Sequence, residues 1–143
     1  MTTMTYAEVA DAYLAAQLLG KLELPVAPTG LKLRRMIREF KALTDDLEEE
    51  RQKLLKSYAI RDEQGNLQTV QKPDGTSKYV FEPANEKLYN ERFNQLVQAL
   101  VEVKTHPIKS TELAGIKLPA EILFALGQML EEVEEAETTR GPK

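Results

Sequence analysis

GLKLRRMIREFKALTDDLEEERQKLLKSY, residues 30–58, is the stretch that decides the fold. Leu33, Met36, Phe40, Leu43 and Leu47 recur in unbroken steps of three and four, the spacing that lays apolar side chains along one stripe of an α-helix. Glu50 interrupts the rhythm, and Leu54 and Tyr58 resume it with Leu55 alongside. The other faces are charged, and Glu49 and Lys53 stand at the favourable i,i+4 spacing. Thr29 is placed to cap the start, and the turn former DEQGN (62–66) follows the end. The spacing predicts a helix over 30–58, about 42 Å long at 1.5 Å per residue. A compact domain of this size is narrower, so the helix is expected to project or to pack against a second chain through the seam Leu33–Leu47.

Upstream, Thr5 and Glu8 stand at capping-box spacing and open a helix over 5–19. Its expected apolar face is Tyr6, Val9, Ala10, Tyr13, Leu14 and Leu18, with Gly20 as the stop and KLELPVAPTG as an extended connector. Downstream the period changes. LQTVQ and KYVFE flank the turn formers KPDGTS, which predicts a β-hairpin within 60–82 and a third short strand near Ile60. Pro83 opens a helix over 83–100 with Tyr89, Phe93, Leu96, Val97 and Leu100 on one face. Val101, Val103 and Thr105 alternate as in a strand that Pro107 confines to an edge. A last helix is expected over 119–136, burying Ile122, Leu126, Met129, Leu130 and Val133, before a frayed tail at 137–143. The class is α+β, mostly α: amphipathic helices around one long charged helix, with a small antiparallel β-hairpin. No repeat or linker divides residues 1–143, so one domain is expected.

With 42% apolar and 29% charged residues the composition is that of a water-soluble globular chain. A net charge of −4 gives no chain-wide basic footprint for nucleic acid. The absence of cysteine removes disulfides, thiolate metal sites and a cysteine nucleophile. No segment has the roughly 20 apolar residues of a membrane span, so neither membrane binding nor a cleaved leader is expected.

A further set of residues falls in a familiar order. Leu24-Pro25-Val26 precedes the long helix, Glu49-Glu50-Arg51, Lys53-Leu54-Leu55-Lys56 and Tyr58 lie within it, and Asp62-Glu63-Gln64-Gly65-Asn66 follows. Phe93-Asn94, Val101-Glu102-Val103, Pro107-Ile108, Leu113 and Leu118-Pro119 continue the series. In these motifs, spread over about residues 6–132, the chain resembles a family of small uncharacterised proteins encoded by tailed bacteriophages and prophages. That family places glycine soon after the tyrosine, whereas Ala59 and Ile60 follow Tyr58 here. The resemblance implies a viral source and action in the host cytoplasm or within the virion. It implies no activity.

The most specific local feature is the run Lys32, Arg34, Arg35, Arg38 and Lys41, opposed only by Glu39. Cations at a helix N-terminus are repelled by the macrodipole. An anion held by the free amides after Thr29 and by Arg34 or Arg35 would relieve that cost. The run reads either as a site for phosphate, nucleotide, nucleic-acid backbone or an acidic partner surface, or as a solvated face balanced by nearby glutamates or the acidic C-terminal tail. Tyr79 and Phe81 on the hairpin are candidates for a second docking surface. His106, the only histidine, makes a poor metal site alone, and the carboxylates Asp45 to Glu50 splay around a helix rather than converge. With no motif for a nucleophile, a metal or a phosphate loop, no catalytic residue and no cofactor is expected. The leading reading is a non-enzymatic interaction protein that binds a host or phage protein, with homo-oligomerisation as a further option. The alternative is a protein that sequesters a nucleotide or other phosphate-containing ligand against host defence.

Overall fold

The computed structural model of the chain describes residues 2–133. In order these form β1 (Thr2–Thr5), α1 (Tyr6–Leu19), α2 (Ala27–Tyr58), β2 (Thr69–Gln71), β3 (Ser77–Tyr79), α3 (Pro83–Gln98), β4 (Leu100–Val103) and β5 (Ile108–Lys109). A short 3₁₀ turn, α4 (Ala120–Leu126), a second 3₁₀ turn and β6 (Leu130–Glu131) complete the series. The class is α+β, mostly α. No helix among the described residues is long and apolar enough to cross a membrane. Two compact units emerge: residues up to Thr44 together with those from Leu100 onward, and the inserted segment Asp45–Ala99. The continuous helix α2 contributes to both.

In the first unit, β1 and β4 pair antiparallel, with Thr2 opposite Val103 and Thr5 opposite Leu100. The strand ends directly on the capping box of α1: Glu8 N donates to Thr5 Oγ1 (3.1 Å) and Thr5 N donates to Glu8 Oε1 (2.9 Å). The Thr5 amide, then Gln128, hold the Glu8 carboxyl below its ordinary range. Thr5→Ala is expected to lower stability by about 1 kcal/mol in chemical denaturation; an unchanged midpoint would mean the cap contributes nothing. The buried face of α1 differs from the expected one. Val9, Ala12, Ala15, Ala16 and Leu19 turn inward, while Leu14 and Leu18 are exposed. The helix is apolar on nearly every side, and its alanine side allows α4 to pack closely against it. Leu33, Met36 and Phe40 of α2 are fully enclosed in the same core, with Val103, Ile108, Leu126 and Met129 arriving from the C-terminal half.

Three boundaries depart from the sequence reading. Helix α2 begins at Ala27 rather than Gly30, so Thr29 lies inside the helix and is fully buried instead of capping it. Helix α3 ends at Gln98, which leaves Leu100 exposed in β4. The last helix stops at Leu126 because Gly127 adopts φ +52°, left-handed backbone that suits glycine and ends the α-helical path. Beyond it Ile108 and Leu130 pair in a short parallel ladder. The remainder of the expected helix, 134–136, and the tail at 137–143 lie outside the described residues.

The inserted unit has a smaller interior. Val70 and Lys78 are opposite one another across β2 and β3, and the turn between them uses Gly75 at φ +88° with Asp74 Oδ1 accepting from Thr76 N. Single bridges Ala59–Phe81 and Arg61–Leu67 supply the third strand-like segment expected near Ile60. Buried Leu55 of α2 and Tyr89 of α3 lie in this unit, and the Tyr89 ring stands 4.9 Å from Phe81 and 6.0 Å from Phe93. Such offset aromatic contacts add to simple burial.

Candidate functional site

The basic run on α2 is divided by the geometry into three parts. Because Leu33, Met36 and Phe40 face the core, the residues between them must face elsewhere. Lys32 is half-buried and its Nζ lies 2.7 Å from Glu112 Oε1. Thr29 Oγ1 donates to the other oxygen of the same carboxylate at 2.5 Å, and Lys109 N donates to Oε1 at 3.1 Å. Glu112, reached across 83 residues of sequence, is held by the Thr29 hydroxyl and Lys32, not by Arg34 or Arg35. Burial works to raise the Glu112 carboxyl, but hydrogen bonds from Lys32, Thr29 and Lys109 overcome it and hold the pKa at about 2. Lys32 is thus a structural cation.

Arg34 and Arg38, one turn apart and both exposed, line a groove of about 490 Å³ between the end of α1 and the first turns of α2. Its floor is apolar, made by Leu22, Leu24, Leu33 and Ile37, with Leu31 on its edge 58% exposed. Arg35 points to the other side of Leu31. There it shares a second cavity of about 470 Å³ with Lys32, Lys104, Thr105 and His106. Arg34, Arg35 and Arg38 form no ion pair among the described residues; Lys41 is exposed but has a partner.

Both hairpin candidates are half-buried. Tyr79 lies beneath the Arg51 guanidinium, 6.0 Å from its ring centroid, and Arg51 in turn holds Glu48 at 2.8 Å. Phe81 packs on Tyr89. Among the described residues no three histidine, aspartate or glutamate side chains are grouped to hold a metal.

Sequence reading does not bring Glu112, Lys104 or Glu39 to this region. Glu39 is legible only as the acid that breaks the basic run. Its carboxylate accepts from Lys104 N at 2.7 Å and Thr105 N at 2.9 Å. Burial opposes ionisation of Glu39, and these amides more than compensate, placing it below the ordinary carboxylate range. No local pattern could reveal the pairing, since the partners lie 65 residues apart. No family model matches the chain, and neither a curated protein nor a solved structure matches it.

Proposed function

We propose that this chain is a non-enzymatic interaction protein that docks another protein on the leucine-lined groove beside Arg34 and Arg38. The observation that carries the reading is a concentration of exposed leucine in one part of the first unit. Leu14 is 62% exposed, Leu18 48%, Leu22 43% and Leu31 58%. Leu14 and Leu18 lie one turn apart on α1, Leu22 follows four residues on, and Leu22 and Leu31 line the groove. Single exposed leucines are ordinary, but two of these, Leu22 and Leu31, line a concave apolar surface, which suits a docking site. The two arginines at the edge add a preference for an acidic partner. The phage resemblance suggests the partner's origin: a host protein in the cytoplasm, or a component of the virion.

Leu33, Met36 and Phe40 are enclosed in the chain's own core, so they do not form a seam open to a second copy. The deciding experiment is affinity capture from infected cells with the native chain and with a Leu18→Glu, Leu22→Glu double variant, both checked for unchanged helical content. The expected result is a stoichiometric partner, or a second copy of the chain by light scattering, lost at least about tenfold in the double variant. Equal capture by both chains would overturn the assignment.

A further inference from the structure

The second cavity has a character that the leucine groove lacks. Lys32, Arg35, Lys104 and His106 line it with Pro28, Leu31 and Thr105, and no carboxylate is among these lining residues. Lys32 has its counter-ion in Glu112, which leaves Arg35 and Lys104 as the remaining cations lining the concavity, in a chain of net charge −4. Two carboxylates outside the lining bond to it. Glu112 accepts from Thr29, Lys32 and Lys109, and Glu39 accepts from two backbone amides. Arg35 has no ion pair among the described residues.

The cavity is also held in shape. Glu39 ties the amides of Lys104 and Thr105 to α2, and Lys32 Nζ donates to Pro107 O at 3.3 Å. The segment 104–107 is therefore anchored to the helix on both sides of His106, which fixes the wall opposite Arg35. A wall whose backbone is already fixed lowers the ordering cost of binding a small anion there.

We propose that this pocket binds a small phosphate-bearing molecule. Arg35 and Lys104 supply the charge and the N–H donors for the phosphate oxygens, with Arg35 capable of a two-pronged contact and His106 beside them on the wall. Pro28 and Leu31 supply an apolar wall for the rest of the molecule, and a cavity of about 470 Å³ is within the usual range for ligand sites. The proposal does not depend on the docking groove, which lies on the other side of Leu31.

The test is calorimetric titration of the full chain with inorganic pyrophosphate and with adenosine monophosphate, paired with amide chemical-shift mapping. Saturable 1:1 binding is expected, with shifts at Lys104 and Thr105. Arg35→Glu and Lys104→Glu should each weaken it by about tenfold or more. Arg34→Glu, in the neighbouring groove, should leave it within about twofold. Tighter binding of the nucleotide would give the apolar wall to its nucleoside. Equal or tighter binding of pyrophosphate would assign recognition to the anion alone. The proposal fails if neither probe saturates at millimolar concentration, or if Arg34→Glu weakens binding as much as Arg35→Glu does.

Discussion

Glu112→Gln should make the protein less stable at neutral pH by roughly 3 kcal/mol and should flatten its acid sensitivity between pH about 4.5 and 2. The folded carboxyl titrates at about 2 against an ordinary value of 4.5. A depressed folded pKa means that the stabilisation is fully present above the unfolded value and disappears as pH falls toward the folded one. The substitution removes the charge and replaces one of the two acceptor oxygens by an NH2 donor, so the fully buried Thr29 hydroxyl and the half-buried Lys32 ammonium can no longer both be satisfied. Such abandoned partners cost more than the lost bonds themselves. Thermal unfolding of both proteins across this range checks the sign. Glu8, Glu39 and Asp74 are also depressed, so acid weakens both chains, and the difference between them isolates Glu112. Parallel curves would show that the carboxylate does not stabilise the fold.

Phe40→Ala should cost about 3–5 kcal/mol, a fall in midpoint of roughly 10–20 °C. Phe40 is fully enclosed in a core built from α1, α2, α4 and the segments around Val103 and Ile108, so its removal leaves a cavity that several elements would have to collapse to fill. Leu47, two steps further along the same stripe, is only half-buried and should lose about 1–2 kcal/mol as alanine. The contrast is diagnostic. Equal and small losses at both positions would place the stripe outside the core and return it to the interface role that its spacing suggests.

Much of this architecture is legible because it depends on neighbours in sequence. Thr5 and Glu8 are three residues apart, the hairpin turn lies within KPDGTS, and the α2 stripe repeats over a few turns. What escapes is decided at a distance or by degeneracy. TTMT becomes a strand because β4 lies beside it, and nothing in those four residues announces the partner. Helix α1 offers apolar side chains in several directions, so periodicity alone selects Leu14 and Leu18, where close packing selects the alanines. The three-four spacing runs through Gly127 as though the last helix continued, but the backbone turns left-handed there. At the candidate site the exposed arginines are readable as a cluster. Their division between two cavities is not, because it depends on where Leu31, Lys104 and His106 fall in space.

The insertion of Asp45–Ala99 into the first unit gives chain synthesis a particular order. Leu33, Met36 and Phe40 leave the ribosome long before Val103, Ile108, Leu126 and Met129, the residues that enclose them. Throughout that interval α1 supplies the core residues already synthesised, and the C-terminal part of the cover over α2 is missing. Contacts of such wide separation close late and slowly. Truncation before Val103 would remove every core residue that the C-terminal half contributes, leaving α1 and α2 to close on each other alone.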